Sequence, residues 1–528
     1  MKSLMKKVFA AAAAIATVFG LAATTVATAN AADNATLTVS TTDAKFAGKT
    51  VNAYKMFSAT VSGDGKAVSY TLTDEWKPFF KNSVGLTGVT DENVNDKAND
   101  YVSKLKDSTL VAFATKASNW AQTKANNITA DATATVSADA SNGKYTATFT
   151  GLGYGYYVVA VPGATLANAK SQYATLVSVH STKVDADIKG DLPTVDKKVQ
   201  VDGTGKDATD AKIGDTLTFT LTSTIPDMSA YDTYTFNFKD TLSKGLTFGQ
   251  VKSVKVENVT LTENTDYTVT TPTASNNNTL TVAMKDFKTK QQANAGKKIT
   301  VTYTATLNEN AVVGGAGNVN SAKIQYSNNP STDGTGESEP SKVRVFTYGF
   351  TVDKYTGDQY TDAATRLAGA EFTLAHKDGS AISFVQVSAG SATANAVYRV
   401  AKAGETGTTT ITTPANGKVV FEGLKNGEYT LTETKAPAGY NKLASAIGVK
   451  VDGRNDGTDN TDATVTITYN NDNGSVYGEH ASNGVIPVRN KSGVTLPGTG
   501  GMGTIAFTVI GVLVIALGVA WTLKRKNA

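Results

Sequence analysis

The chain contains no cysteine, and its 528 residues include only 3 His, 3 Trp, 6 Met and 11 Pro. Without thiols there is no disulfide, no cysteine nucleophile and no thiolate metal site, and so few histidines give a clustered metal centre little to be built from. An excess of either charge is missing as well. Lys and Arg number 50 against 46 Asp and Glu, and the net +4 is spread along the chain, so no basic stripe is available for nucleic acid. Neither a G-x-S-x-G elbow nor an H-E-x-x-H motif occurs, and the scattered carboxylates define no glycosidase pair, which leaves a hydrolase without support. No cofactor is called for.

Long apolar runs occur only at the two ends. Met1 to Ala31 reads as a secretory signal peptide: Lys2, Lys6 and Lys7, an apolar run from Val8 to Ala23, and a small-residue exit at Ala29-Asn30-Ala31, so that the mature chain begins at Ala32. At the other end, Leu496-Pro497-Gly498-Thr499-Gly500 precedes an uncharged stretch from Thr504 to Leu523, followed by Lys524-Arg525-Lys526. About 20 helical residues at 1.5 Å each span the roughly 30 Å hydrocarbon core. Basic residues just after a span stay cytoplasmic, so the body is expected outside the cell. Disulfides are the usual staple there, and their absence means that these domains need none or use another kind.

The body is rich in Thr, Val, Gly, Asn and Tyr, in short alternating runs between turn residues, which is the pattern of β-sandwiches. Its length suggests three domains. The expected fold is mainly β: three tandem immunoglobulin-like sandwiches, at 32–188, 189–346 and 347–495, with a C-terminal transmembrane helix in the tail at 496–528. The first sandwich carries a helical insertion, because Val94, Ala98, Tyr101, Val102 and Leu105, then Leu110, Phe113, Ala114, Ala117 and Trp120, fall at helical spacing. In the second, Thr216–Thr222, Thr233–Phe238 and Ile299–Thr304 alternate as strands, and Ser331 to Ser341 reads as a polar surface loop. An internal echo links the first and third. Phe149-Thr150-Gly151-Leu152-Gly153-Tyr154-Gly155-Tyr156-Tyr157 and Phe421-Glu422-Gly423-Leu424-Lys425-Asn426-Gly427-Glu428-Tyr429 share F-x-G-L-x-x-G-x-Y, a strand end, a glycine turn and a new strand.

The tail resembles the LPxTG cell-wall sorting signal of Gram-positive surface proteins in all three parts and their order. Tyr429-Thr430-Leu431-Thr432-Glu433-Thr434-Lys435-Ala436-Pro437-Ala438-Gly439-Tyr440 resembles the E-box of collagen-adhesin B-type domains in Gram-positive pilins. Leu192 to Val199, Lys239 to Leu246 and Tyr326 to Pro330 resemble the middle domain of SpaA/FimA-type backbone pilins. With the sorting signal, the resemblance covers most of the mature chain.

This resemblance implies a Lys–Asn isopeptide crosslink inside such domains, promoted by a neighbouring acid. The chemistry needs a neutral lysine, which burial favours by lowering its pKa, and a protonated carboxyl group, which burial also favours. Folding makes the amidation intramolecular. In the third domain the expected amine is Lys354, the acceptor Asn490 and the acid Glu433. In the second they are Lys197, Asn328 and Asp240, with Lys198 and Asn320 open as alternatives, because a shift of one residue turns a strand's side chains to the other face. The first domain has Val161 where the third has Glu433, and no lysine in its opening strand Thr36 to Thr42, so no crosslink is expected there.

The resemblance also implies a polymerising lysine. The family's pilin motif ends near Y-P-K, whereas Val184-Asp185-Ala186-Asp187-Ile188-Lys189 keeps the V-x-x-x-I-K pattern without the Tyr and Pro. Lys189 is the choice, with Lys183 as runner-up. The expected protein is a major pilus subunit on a Gram-positive cell, a substrate and not an enzyme. Its implied partners are pilus-specific and housekeeping sortases, identical subunits head to tail, accessory tip and base pilins, and peptidoglycan. A monomeric wall-anchored adhesin shares every feature except the polymerising lysine.

Overall fold

A computed structural model describes residues 34–63, 65–139, 143–164, 174–330, 333–361, 364–453, 465–470, 484–493 and 511–522. The expected signal peptide and the motif Leu496 to Gly500 lie outside these residues. Two compact units are present, one reaching Thr347 and the other formed by Tyr348–Asp452 and Val465–Ala528.

The first unit opens with strands β1 (Ala35–Thr41), β2 (Thr50–Val61), β3 (Lys144–Leu152), β4 (Gly155–Ala160), β5 (Ala174–Val179) and β6 (Lys183–Asp187). In one sheet β1 lies between β3 and β6, and in the other β2 and β4 are neighbours with β5 beside β4. Alternation drives the first of these: Ala35, Leu37 and Val39 of β1 are buried while the residues between them are partly exposed. Between β2 and β3 come helices α1 (Lys77–Asn82), α2 (Val94–Ser103) and α3 (Asp107–Gln122). The expected stripes face inward on Val94, Ala98 and Val102 and on Phe113, Ala114 and Ala117. Helix α1 was not expected; it is short, with Pro78 in its first turn, where a proline's missing N–H costs nothing. It packs Phe79 and Phe80 against Trp76 and Phe113 in an aromatic cluster, Trp76–Phe79 edge-on with centroids 5.4 Å apart and Phe79–Phe113 tilted at 5.7 Å.

The same unit continues with β7 (Asp196–Val201), β8 (Thr216–Thr224), β9 (Phe236–Leu242), β10 (Lys298–Leu307), β11 (Asn318–Ser327) and β12 (Ser341–Phe346). One sheet holds β7, β8 and β10 in that order, the other β12, β11 and β9. The expected strand at Thr233–Phe238 begins instead at Phe236. The expected loop before β12 contains a short strand, Thr335–Glu337, paired with the end of β11. The ammonium of Lys45 pairs with Asp191, and Asn119 Nδ2 donates to Ser229 Oγ at 3.0 Å, so side chains of residues 35–187 and 191–346 meet within this unit.

The second unit contains β13 (Tyr348–Thr356), β14 (Glu371–His376), β15 (Lys418–Leu424), β16 (Gly427–Lys435), β17 (Ile447–Gly453) and β18 (Val485–Arg489). Strand β13 lies between β15 and β18, and β16 between β14 and β17 in the facing sheet. Its frame repeats that of the first sandwich: β13 pairs antiparallel with β15 and parallel with β18, as β1 does with β3 and β6. The sequence echo explains itself here. Gly151 and Gly423 have φ of 73° and 82°, the left-handed turn that glycine adopts freely. Tyr157 Oη then donates to the Gly153 carbonyl, and Tyr429 Oη to that of Lys425, both at 2.6 Å.

In the tail, the described part of the expected span is a helix over 511–522, with Val512 to Ile515, Leu517, Val519 and Trp521 exposed. Among the described residues no helix is long and apolar enough to cross a membrane.

A Cβ on Gly155 would stand 2.5 Å from the Phe57 carbonyl oxygen in the adjacent strand. Gly155→Ala is therefore expected to destabilise the first sandwich by roughly 1–3 kcal/mol through overpacking against rigid backbone. Urea unfolding followed through Trp76 and Trp120 fluorescence checks this.

Candidate functional site

Lys197, Asp240 and Asn320, and Lys354, Glu433 and Asn490, are buried inside largely apolar sandwiches, none more than 2% exposed. They assemble into two separate clusters, one in each unit.

In the middle sandwich, register decides which lysine is inside. Lys197 pairs with Leu221 across β7 and β8 and points inward, whereas Lys198 points outward to Asp207 at 2.6 Å. Asp240 takes a core place on β9, where Phe236, Phe238, Asp240 and Leu242 alternate inward. The Lys197 ammonium contacts the Asp240 carboxylate and donates to Tyr303 Oη at 2.9 Å. It also lies 5.1 Å and 5.2 Å from the ring centres of Phe219 and Tyr303. Tyr303 donates to Asp240 Oδ2 at 2.6 Å, and Asn320 Nδ2 donates to Tyr303 Oη at 2.6 Å. Burial outweighs the neighbouring carboxylate and lowers the Lys197 pKa to about 8.

Asn328, the expected acceptor, is not in this cluster; Asn320 is. Both have the parity of the inward face of β11, but that strand ends at Ser327. Eight residues at about 3.3 Å each put Asn328 roughly 26 Å farther along the chain direction. It is half-buried in the following turn, its N–H bonded to the Gly334 carbonyl.

In the third sandwich, Lys354 on β13 pairs with Val488 on β18, and its Nζ donates to the Val488 carbonyl at 3.4 Å. Lys354 Nζ stands 3.2 Å from Glu433 Oε1, and Asn490 Nδ2 donates to Glu433 Oε2 at 3.0 Å. One carboxyl group thus spans both nitrogens. The Leu443 N–H also donates to Oε2, at 2.8 Å, and the Asn441 carbonyl accepts from Asn490 Nδ2 at 3.0 Å. Phe372 faces the lysine at 5.8 Å. Burial, again the largest effect, lowers the Lys354 pKa to about 8.

The matched registers locate the corresponding places in the first sandwich. Leu37–Phe149 answers to Phe350–Phe421, and Val39–Ala186 to Val352–Ile486. Counting four residues on, Lys354 and Asn490 correspond to Thr41 and Gly190, and the echo sets Val161 against Glu433. Lys189 follows β6; its side chain is 29% exposed and lies 3.4 Å from Asp187 Oδ2. Lys183, at the start of β6, is exposed.

Two features went unread in the sequence. Tyr303 stands among Ile299, Val301, Ala305 and Leu307 on the inward face of β10, and a tyrosine in an apolar stripe was the available signal, since its hydroxyl needs a partner when buried. On the other side of β13 from Lys354, Asp353 is fully buried beneath Arg366 Nε at 2.7 Å and Tyr360 Oη at 2.8 Å. That clasp holds the segment after β13 down on the strand.

Residues 213–330 match the Gram-positive pilin backbone subunit 2, Cna-B-like domain, residues 358–473 the SpaA prealbumin-like fold domain, and residues 489–528 the LPXTG cell wall anchor motif. The trypsin-resistant surface T6 protein of Streptococcus pyogenes serotype M6 is 25% identical over 279 residues, covering 48% of this chain. The match spans 44% of that relative's own length. Among solved structures, the T6 backbone pilin of serotype M6 Streptococcus pyogenes is 18% identical, with 87% of this chain and 99% of that one covered and a TM-score of 0.46. The full-length major pilin SpaD from Corynebacterium diphtheriae is 20% identical, with 88% and 98% covered and a TM-score of 0.40.

The lysine pKa values carry a consequence for stability. In an Asn490→Ala chain, Lys354 is a free amine with a folded pKa of about 8 against its ordinary 10.5. Between those values the unfolded chain binds the extra proton, so stability rises with pH from about 8 to 10.5 and is flat below, a gain on the order of 3 kcal/mol. Urea unfolding across that range checks it, and adding Lys354→Met should remove the rise.

Proposed function

We propose that this chain, whose matched domains are those of Gram-positive backbone pilins and whose tail is a cell-wall anchor, is the major shaft subunit of a covalent pilus, or fimbria. The observation that carries this reading is the presence in one chain of a pilin-backbone domain and an LPXTG motif. The apolar tail holds the secreted precursor in the membrane. A pilus sortase then cleaves between Thr499 and Gly500 and carries Thr499 as an acyl group. The amine of Lys189 on a second subunit displaces the enzyme, joining Thr499 to Lys189. Repetition makes a head-to-tail fibre, a heterologous contact that does not close on itself. Accessory pilins occupy its tip and base, and a housekeeping sortase passes the last subunit to peptidoglycan. The fibre serves adhesion to host tissue or to other bacteria. The protein is a substrate of enzymes, and its own chemistry is a single turnover.

That turnover is the internal crosslink. Neutral Lys354 Nζ attacks the Asn490 amide carbon, the new C–N bond replaces the bond to Nδ2, and ammonia leaves. Glu433, in contact with both nitrogens, moves the proton between them. In the middle sandwich the pair is Lys197 and Asn320, with Asp240 as the acid. The buried amines with lowered pKa values support this, since an ammonium is no nucleophile. The first sandwich, with Thr41, Val161 and Gly190 at the corresponding places, forms none.

A monomeric wall-anchored adhesin remains the second reading, favoured by one observation: the stretch before Lys189 lacks the Tyr and Pro of the family's pilin motif.

The intact mass of the full chain is expected to fall short of its sequence mass by two ammonia molecules. Asn320→Ala should restore one, Glu433→Ala the other, and Asn328→Ala neither; a wild-type chain of full sequence mass rejects the chemistry. For polymerisation, boiled cell-wall extracts of the native host should show an SDS-resistant ladder that Lys189→Ala abolishes. A ladder that survives this change moves the amine elsewhere, and absence of any ladder selects the monomeric adhesin.

A further inference from the structure

The two buried clusters solve the same geometric problem differently. In the third sandwich the carboxyl group of Glu433 reaches both nitrogens that exchange places, Lys354 Nζ at 3.2 Å and Asn490 Nδ2 at 3.0 Å. The acid of the middle sandwich is an aspartate, one methylene shorter. Its carboxylate meets Lys197, while Asn320 Nδ2 donates to Tyr303 Oη at 2.6 Å. The same phenol oxygen accepts from Lys197 Nζ at 2.9 Å and donates to Asp240 at 2.6 Å. Tyr303 Oη is therefore the atom in contact with the entering nitrogen, the leaving nitrogen and the acid.

Resting on the crosslink reading above, we propose that Tyr303 is a catalytic residue of the middle sandwich, relaying the proton from Lys197 Nζ to Asn320 Nδ2. As Nζ bonds to the Asn320 amide carbon it becomes a positively charged secondary amine, and Nδ2 becomes an amine with a free lone pair. The phenol gives its proton to Nδ2 and takes one from Nζ. The carbon–Nδ2 bond then breaks, ammonia leaves, and an amide and an intact phenol remain, so atoms and charge balance without a further reactant. Burial, reinforced by Asp240, raises the pKa of this phenol well above its ordinary value. A free phenolate is therefore disfavoured, and giving and taking the proton must go together. Packing fixes the ring in place, with Phe219 stacked on it at 5.3 Å and 19° and Phe248 at 6.0 Å. Phenylalanine at 303 would keep those contacts and lose the relay.

The test follows ammonia loss by intact mass as the full chain is made by cell-free translation. Wild type should lose two ammonia molecules. Tyr303→Phe should lose the third-sandwich ammonia at the wild-type rate, which also reports on translation and sample handling, and the second roughly 100-fold more slowly, the usual lower bound for a positioned proton-transfer group. Equal rates for Tyr303→Phe and wild type overturn the relay. Loss of a single ammonia by wild type, mapped to Lys354–Asn490, overturns the middle crosslink itself, a distinguishable failure. Limited proteolysis reports whether the middle sandwich of Tyr303→Phe is folded. If it is not, 3-fluorotyrosine at 303 keeps the ring and makes the phenol more acidic. A rate changed several-fold then supports the relay, and an unchanged rate overturns it.

Discussion

A lysine amine held inside an apolar sandwich against a single carboxyl group is the interaction on which the middle and third domains turn. An ammonium taken out of water without a partner costs several kcal/mol, and a carboxylate alone costs as much. Placed together and surrounded by aromatic rings, each makes the other's burial tolerable. The surrounding structure is arranged to bring this about. β7 must carry Lys197 inward while Lys198 stays outside, and β13 must carry Lys354 inward while Asp353 is held from the opposite face by Arg366 and Tyr360. A slip of one residue in either strand would leave an unpaired charge in the core, so the pairs fix register as strongly as any apolar side chain does.

The third sandwich and the first share a frame and differ in what it holds. Gly151 and Gly423 make the same turn, Tyr157 and Tyr429 close it with the same hydrogen bond, and a parallel pair joins first and last strands in both. Where the third carries Lys354, Glu433 and Asn490, the first carries Thr41, Val161 and Gly190. The first sandwich instead gains a second layer of packing from α1 to α3 and their aromatic cluster. In a chain without cysteine, burial and the lysine pairs are the means available for stiffening the body.

Much of this was legible in the residues. The E-box located Glu433, and Lys354 and Asn490 came with the opening and closing segments of the domain, where Lys354 lies in β13 and Asn490 directly follows β18. Asp240 came from the resemblance of Lys239 to Leu246 to the middle domain of backbone pilins, and its inward place on β9 beside Phe236, Phe238 and Leu242 agrees with a core position. Which asparagine joins the middle cluster was not legible to the same degree. Asn320 and Asn328 share parity, so alternation cannot separate them, and what does is the end of β11 at Ser327, set by pairing with distant strands. Tyr303 was missed for a related reason. A tyrosine in a buried stripe reads as packing, and its hydroxyl acquires meaning only when three strands remote in sequence bring Lys197, Asp240 and Asn320 to it. Helix α1 is too short for periodicity to reveal.

The parallel pairing of first and last strands has a mechanical meaning. When a sandwich is pulled by its two ends, β13 and β18 are drawn in opposite directions along their common axis, as β1 and β6 are. Their hydrogen bonds are then loaded in shear, all sharing the force, instead of being peeled one after another. In the third sandwich the Lys354 and Asn490 side chains both reach Glu433 beside that seam, and a covalent bond between them would short-circuit the load past the hydrogen bonds. In the first, five paired residues and the packing beneath them carry it alone. With such a bond in the third sandwich and none in the first, stiffness along the chain would be uneven, and the compliance would reside in the first.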